Sequence, residues 1–105
     1  HTTIRDCKGD YVIFSMSKLR NVSFNQCFLR GGGLDNCQFT NVEFEHCNLV
    51  EAELHRTSLK GIDLTSSEIA GIRIGSIPGG ALKGATVTSL QALDIARMLG
   101  ITIKD

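Results

Sequence analysis

Large apolar side chains recur at every fifth position along most of the chain. The thirteen members of this series are Phe14, Leu19, Phe24, Leu29, Leu34, Phe39, Phe44, Leu49, Leu54, Leu59, Leu64, Ile69 and Ile74. A five-residue step turns an α-helix by roughly 140°, so a straight helix would scatter these side chains around its axis. A straight strand fails too, because its side chains alternate faces and five is odd. The pattern therefore predicts a chain that changes direction once in every five residues.

A second series stands two positions before each apolar centre and is mostly small or β-branched, from Val12 to Ile72. Residues two apart on an extended segment point to the same side, so each unit offers one small and one large inward side chain. A corner must follow, and Gly or Asn tolerates the left-handed conformation that corners need. These residue types do stand two positions after many centres, at Asn21, Gly31, Asn36, Asn41, Gly61 and Gly71.

Positions twenty apart carry similar residues. The columns Val22, Val42, Ile62, then Phe24, Phe44, Leu64, then Cys7, Cys27, Cys47 illustrate this. The stretch "CNLVE AELHR TSLKG IDLTS" resembles the signature A(D/N)Lxx of the pentapeptide-repeat family. That resemblance implies an all-β solenoid, namely a right-handed quadrilateral β-helix with four units per coil.

The five-residue frame ends after Ile74. "GSIPGG" reads as a loop, and Leu82 and Val87 then stand five apart in a shifted register. Thr88 with Gln91 makes a capping-box pattern, and Gly100 stands where a helix commonly ends. We therefore expect a short C-terminal α-helix over 89–99 that caps the solenoid, followed by a short strand from residue 101. The predicted boundaries are 1–11 for a partial N-terminal coil or truncated end, 12–74 for the repeats, 75–87 for the loop and shifted repeats, and 88–105 for the helix, short strand and dimerisation cap.

The predicted helix has two apolar faces. A continuous face, suited to covering the end of the rod, comprises Ala92, Leu93, Ile95, Ala96 and Leu99. Leu90 and Met98 fall on the other side among polar residues, where they are either scattered exposed hydrophobes or a surface buried by a symmetric partner. The helix and its "ARMLGI" ending are similar to the C-terminal dimerisation module of quinolone-resistance pentapeptide proteins. We therefore predict a homodimer through Leu90 and Met98.

Charge and composition narrow the partner classes. Eleven basic and eleven acidic residues give no net charge, and tryptophan is absent, which argues against direct nucleic-acid binding. No apolar run approaches the roughly 20 residues needed to cross a bilayer, and no charged-then-apolar leader is visible. We therefore expect a cytoplasmic protein that binds neither nucleic acid nor membrane.

Groups that suggest chemistry fall at positions that should not converge. Glu43, Glu45, Glu51 and Glu53 could form an acid–base pair, but on this fold they project into water. His46, Cys47 and His55 resemble metal ligands, yet Cys47 is an inward position and both histidines are outward or corner positions. The cysteine column is expected to pack as small reduced core residues. The glycine cluster near residues 75–84 lacks the Lys and Ser/Thr of a phosphate loop. The sequence therefore predicts no catalytic, metal or cofactor site.

Any function should then lie on the outward surface. Counting positions in steps of five and twenty residues places Lys18, Arg20 and Lys60 on one side of the predicted solenoid and acidic residues on the next. This segregation is either that of a plain solvated surface or that of a candidate partner surface, which comprises Phe28, Glu43, Glu45, Val50 and Asp63. The primary prediction is a non-enzymatic rod that binds an unknown protein. The alternative, implied by the resemblance to quinolone-resistance members, is a DNA mimic that binds DNA gyrase or topoisomerase IV. That alternative ranks second because this chain is short and neutral, and its thirteen units carry no insertion.

Overall fold

Parallel strands and one C-terminal helix form the structure, which is a computed structural model that describes residues 1–74 and 82–104. Strands β1 (Thr2–Arg5), β2 (Lys18–Asn25) and β3 (Gln38–Glu45) make a parallel sheet in the order β1-β2-β3. Helix α1 spans Ser89–Met98. The molecule is elongated, with principal extents of 42 × 24 × 23 Å.

Twenty residues separate the partners in every strand pair. Thr2 pairs with Val22, and Val22 pairs with Val42. Isolated parallel bridges continue the same register outside the strands, for example from Gly33 to Glu53 and from Glu53 to Arg73. We call the successive stretches 1–17, 18–37, 38–57 and 58–74 layers 1 to 4. The chain therefore advances by one strand spacing for each twenty residues, and residues 2–11 follow the same register.

The register changes by three residues beyond layer 4. Asp63 pairs with Thr86, twenty-three residues further along the chain. The backbone N–H of Thr86 donates to the Ile62 carbonyl at 2.9 Å, and that of Leu64 donates to the Thr86 carbonyl at 2.9 Å. Leu82, Ala85 and Val87 consequently pack on the core as partly buried side chains. The predicted loop "GSIPGG" lies outside the described residues.

The apolar centres form the core. Nine of the thirteen are buried, namely Phe24, Leu29, Leu34, Phe44, Leu49, Leu54, Leu59, Leu64 and Ile69. The other four, Phe14, Leu19, Phe39 and Ile74, are partly buried and pack against that cluster. Phe24 and Phe44 stack in adjacent layers with ring centroids 5.1 Å apart and planes 7° from parallel. One large side chain per five residues therefore fills the interior from layer to layer.

Small inward residues also make hydrogen bonds between layers. The Cys47 thiol donates to the Phe24 carbonyl at 3.4 Å, and the Cys27 thiol donates to the Ile4 carbonyl at 3.4 Å. The Ser67 hydroxyl accepts from the Cys47 N–H at 3.2 Å and donates to the Phe44 carbonyl at 3.3 Å. These inward cysteines are therefore hydrogen-bond donors as well as small core residues, a role that their size alone does not indicate.

Corners fall where the frame predicts them. Every fifth residue from Asp6 to Gly71, with the exception of Ser66, has a positive φ between 51° and 79°. The expected restriction to Gly and Asn is too narrow, because Tyr11, Met16 and five other non-Gly, non-Asn residues adopt this conformation. The N–H of Tyr11 donates to the Arg30 carbonyl at 2.8 Å, and that of Met16 donates to the Asp35 carbonyl at 2.8 Å. Bonds between layers therefore hold these residues in a region that costs an L-residue roughly 1–2 kcal/mol.

Relief of corner strain should stabilise the chain. Met16 is 80% exposed with φ 66°, so its side chain contributes little packing to offset that backbone conformation. Met16→Asn should raise the unfolding free energy by about 0.5–1 kcal/mol, because Asn tolerates left-handed φ. At the neighbouring corner, Asn41 Nδ2 donates to Asn21 Oδ1 at 2.8 Å, and the new amide would stand in the same way above Asn36.

Urea unfolding followed by circular dichroism measures this difference. Met16→Ala is the matched control, since it removes the exposed side chain and keeps the strained backbone type. A gain equal to that of the Asn variant would show that loss of the methionine, rather than relief of strain, is responsible.

Helix α1 begins where the sequence predicts. The Gln91 N–H donates to the Thr88 hydroxyl at 3.0 Å, and the Thr88 N–H donates to Gln91 Oε1 at 2.8 Å, which completes the capping box. Gln91 Nε2 also donates to the Leu64 and Ser67 carbonyls at 2.7 and 2.8 Å. These two bonds fasten the start of the helix to layer 4.

The predicted covering face of α1 needs correction at Ala92 and at Leu99. Ile95 packs on the core, and Leu93 and Ala96 are partly buried. Leu99, however, is 60% exposed, and Ala92 is exposed as well. Leu99 is the C-cap, with ψ 4°, so extrapolation of a regular helical wheel to it fails. In addition, the short strand expected from residue 101 is absent from residues 101–104, the part of that segment that the structure describes.

Candidate interaction surfaces

Outward side chains of β3 and of layer 4 form an acidic face, comprising Glu43, Glu45 and Asp63. Glu43 and Glu45 are alternate residues of β3 and both are exposed. Ser23 Oγ donates to Glu43 Oε2 at 3.3 Å, and Asn25 Nδ2 donates to Glu45 Oε2 at 3.2 Å, so layer 2 orients both carboxylates. A shallow depression of about 540 Å³ runs between these side chains and Asp63. The face offers three carboxylates to a partner without enclosing a ligand.

Asp63 is held by its own turn. The Thr65 N–H and hydroxyl both donate to Asp63 Oδ1, at 2.8 and 2.6 Å. The hydroxyl bond, followed by the N–H bond, lowers the pKa of Asp63 below its usual value. This carboxylate therefore keeps its charge to a lower pH than a free aspartate does.

Phe28 and Val50 lie around the next corner from the acidic face. Phe28 is 48% exposed and Val50 is partly buried. Phe28 lines a second open depression, of about 510 Å³, with Asp6, Lys8, Gln26 and His46. His46 also lines the acidic depression, so it marks the edge between the two surfaces. The five residues of the candidate partner surface thus belong to two adjoining sides rather than to one plane.

Basic residues occupy the side that precedes the acidic face. Lys18 and Arg20 are exposed outward residues of β2, opposite Gln38 and Thr40 of β3. Lys60 is exposed in layer 4, and its side chain lies against Gly84, where an added Cβ would be only 2.9 Å from Lys60 Cγ. Opposite charges consequently meet along one edge of the molecule.

The groups that resembled metal ligands stay apart. Cys47 is 1% exposed and inward, whereas His46 is an exposed corner residue and His55 is half-buried. Within residues 1–74 and 82–104, no three His, Cys, Asp or Glu side chains are placed to hold a metal ion. Burial, followed by the influence of Cys27, raises the pKa of the Cys47 thiol, although the Cys27 backbone N–H opposes this. This thiol therefore stays protonated and able to donate.

Helix α1 leaves apolar side chains uncovered at the C-terminal end. Leu90 is 75% exposed and Met98 is 36% exposed. Leu99 and Ile101 extend this surface, with 60% and 53% of their areas exposed. No helix in the described part of the chain is long and apolar enough to cross a membrane.

Layer 1 carries a second apolar surface that the sequence analysis missed. Tyr11, Ile13 and Met16 are 65%, 77% and 80% exposed. The Tyr11 ring lies over Gly31, and Arg30 Nη2 donates to the Tyr11 hydroxyl at 3.4 Å. The frame held the signal, because all three residues stand at outward or corner positions, which later layers fill mostly with glycine or charged residues.

Comparisons with known proteins match this chain to a family model and to several solved structures. Two trypsin-treated variants of QnrB1, a plasmid-mediated fluoroquinolone resistance protein, match with 20% and 22% identity. The first match covers 97% of this chain and 58% of QnrB1 with a TM-score of 0.49, and the second covers 93% and 45% with 0.43. The chain thus spans about half the length of these structures. No curated protein matches it.

The family model described as "Pentapeptide repeat region" matches residues 1–54, which is just over half of the chain. Its match covers the first units of the five-residue series and the twenty-residue register of β1, β2 and β3. The chain belongs to the pentapeptide-repeat family.

Proposed function

We propose that this chain is a right-handed quadrilateral β-helix that acts as a non-enzymatic, protein-binding rod. Four five-residue units account for the twenty-residue register, and a corner conformation in nearly every unit supports four sides. An experimental structure with three sides, or with left-handed coiling, would refute this fold.

The observation that supports the binding function most is the difference in residue type between inward and outward positions. Inward residues fill the interior, so chemical variety is left to the outward side chains, and the two depressions on them are open and shallow. Enzymes generally require convergent polar groups in a concave pocket. Flat sides with distinct charges instead suit contact with another macromolecule.

The proposed partner surface consists of the acidic face together with Phe28 and Val50. Its carboxylates favour a partner with a basic patch. Its apolar edge provides hydrophobic area that such a partner can bury on binding. The triple variant Glu43→Gln, Glu45→Gln and Asp63→Asn removes the charge and preserves the shape. We expect it to weaken partner binding at least about tenfold and to reduce the salt dependence of that binding.

Affinity capture with quantitative mass spectrometry identifies the partner, and calorimetry then measures its affinity. The matched control neutralises the basic side with Lys18→Gln, Arg20→Gln and Lys60→Gln, and it should retain the partner. Equal binding by both triple variants and the unaltered chain would place the interface elsewhere.

A second candidate function is DNA mimicry towards DNA gyrase or topoisomerase IV. The specific observation in its favour is the regular placing of the carboxylates, with Glu43 and Glu45 alternating on one strand and Asp63 in the next layer. Purified chain is added to a gyrase supercoiling assay, with and without a fluoroquinolone. The mimic should alter supercoiling or relieve the drug, and the acidic triple variant should not. No effect at high molar excess rejects this function and leaves the protein-binding rod standing.

We also propose a homodimer through α1. The exposed side chains of Leu90 and Met98 would become buried in a symmetric contact that covers this end of the rod. Light scattering should give twice the chain mass for the unaltered protein and a single chain mass for Leu90→Asp with Met98→Asp. Met16→Asp, at an equally exposed apolar position far from α1, should leave the dimer intact. A monomeric mass for the unaltered chain contradicts the proposal.

A further inference from the structure

Arg30 stands at the centre of an exposed cluster on the side of the molecule that carries Phe28. These two residues flank the buried centre Leu29, so both side chains point outward, about 7 Å apart along one extended segment. Val50 stands twenty residues beyond Arg30 in the next layer, where its carbonyl accepts from the Gly31 N–H at 2.9 Å. We use the name Arg30 cluster for Tyr11, Phe28, Arg30 and Val50.

Tyr11 belongs to layer 1 but reaches the cluster across a glycine. The absence of a side chain at Gly31 makes room for the ring, since an added Cβ would lie only 2.6 Å from Tyr11 Cε1. Arg30 Nη2 donates to the Tyr11 hydroxyl at 3.4 Å, and the Tyr11 N–H donates to the Arg30 carbonyl at 2.8 Å. The backbone and the hydroxyl of Tyr11 are therefore both tied to Arg30, and the ring is directed towards layer 2.

The Arg30 guanidinium has no carboxylate in contact with it. In the described part of the chain, the one ion pair lies within helix α1. The hydrogen bond to Tyr11 raises the pKa of Arg30 above its usual value, and the more distant charges of Glu51 and Asp10 contribute less. Because Arg30 is exposed and has five N–H donors, its remaining donors are available to a partner.

Phe28 places apolar area beside this charge. Its side chain is 48% exposed and lines the open depression of about 510 Å³. A group that lies against Phe28 in this depression would stand next to a carboxylate bound at Arg30. A planar guanidinium matches the two oxygens of a carboxylate, and arginine and aromatic side chains are enriched in the binding hot spots of interfaces.

We propose that the Arg30 cluster binds a segment of a partner protein in which a carboxylate stands next to an aromatic side chain. The carboxylate pairs with Arg30, and the aromatic ring packs on Phe28 and Val50. Tyr11 is a positioning residue, because its hydroxyl orients the guanidinium. This proposal rests on the protein-binding rod proposed above, and it adds to the acidic face an anchor of opposite charge.

Fragment titrations of the purified full chain, followed by the NMR signals of its backbone amides, test the proposal. N-acetylphenylalanine carries both the carboxylate and the ring, its amide analogue lacks the charge, and inorganic phosphate lacks the ring. We expect saturable shifts at residues 28–31 and 50 with the acid, at least about tenfold weaker binding of the amide, and no saturable binding of phosphate. Equal binding of acid and amide, or saturable binding of phosphate at these residues, would overturn the proposal.

Three variants assign the roles within the cluster. Arg30→Lys keeps the charge but loses the planar fork, so it should bind the acid at least about fivefold more weakly. Phe28→Ala should weaken the binding of acid and amide alike. Tyr11→Phe keeps the ring over Gly31 and removes the hydroxyl, so it should weaken acid binding about two- to threefold and leave amide binding unchanged, a difference that a merely structural role would not produce. Arg20→Lys, at an exposed position of the basic side, is the matched control and should bind as the unaltered chain does.

The fragment titration and the partner capture separate this proposal from the protein-binding rod. A chain that shows no saturable shift with the acid, or an Arg30→Lys variant that binds the acid as tightly as the unaltered chain, overturns the Arg30 cluster. Neither result affects the acidic face, whose test is the loss of a captured partner by its own triple variant. Failure of that capture with intact fragment binding would instead reject the acidic face and leave the Arg30 cluster standing.

Discussion

Phe44→Ala is expected to lower the unfolding free energy by about 3–5 kcal/mol, which is a large share of the total stability of a chain of this size. Phe44 is 2% exposed and lies at the centre of the aromatic part of the core. Its ring stacks on Phe24 at 5.1 Å and meets the edge of Phe39 at 5.9 Å and 62°. Truncation removes both contacts and leaves a cavity between layers 2 and 3. Because backbone bonds between layers fix their spacing, the cavity can close only in part.

Urea unfolding monitored by circular dichroism measures this loss as a lower midpoint with an unchanged slope. Phe44→Leu is the matched control, because Leu64 already occupies the same column one layer further on. That variant should lose only about 1 kcal/mol, since most of the volume is retained. If Phe44→Ala lost no more than Phe44→Leu, layer spacing would be more adaptable than the hydrogen bonds suggest.

The five-residue frame made the core and the corners predictable. A large apolar residue at every fifth position allows few structures, and residues such as Leu49 and Leu54 occur where the frame puts them, each at most 3% exposed. The helix start was predictable for a similar reason, because Thr88 and Gln91 form a local signal that needs no tertiary contact. Short-range patterns of this kind can be recognised in a single sequence.

Features that depend on contacts between layers were not predictable in the same way. Left-handed φ at Tyr11 and Met16 contradicts the local preference of both residues, and carbonyls nineteen residues further along hold them there. The shifted register of Leu82 and Val87 is visible in the spacing, but the pairing of Thr86 with Asp63 that accompanies it is not. Leu99 was wrongly assigned to the covering face, because a helical wheel assumes a regular helix and does not show where that helix ends.

The candidate surfaces could be predicted from the sequence only in part. Column arithmetic separates the outward Glu43 and Glu45 from the basic Lys18 and Arg20, because side-chain direction follows from the frame. Hydrogen bonds from Ser23 and Asn25, which orient these carboxylates, require the register itself. The identity of the partner cannot be predicted from the sequence, because a flat side is recognised through its shape and charge rather than through a short sequence motif.

Thr57→Val is the second substitution with a large expected effect, about 2–4 kcal/mol of unfolding free energy. Thr57 is 1% exposed, and its hydroxyl links two backbone groups of layer 2. It accepts a hydrogen bond from the Cys37 N–H at 3.0 Å and donates one to the Leu34 carbonyl. Valine keeps the branched shape and nearly the same volume, so packing changes little. Both backbone groups would instead remain buried without a partner, and each such loss costs roughly 1–3 kcal/mol.

Two controls decide whether the hydroxyl is responsible. Thr57→Ser keeps the oxygen and loses one methyl group, so it should cost about 1 kcal/mol, in line with the loss of one buried carbon. Thr57→Cys keeps a weaker donor, like that of Cys47 to the Phe24 carbonyl, and should fall between serine and valine. Urea midpoints for the three variants should therefore fall in the order Ser, Cys, Val, with valine the least stable. A valine variant at least as stable as the serine variant would mean that apolar packing, rather than hydrogen bonding between layers, determines which residues occupy these small inward positions.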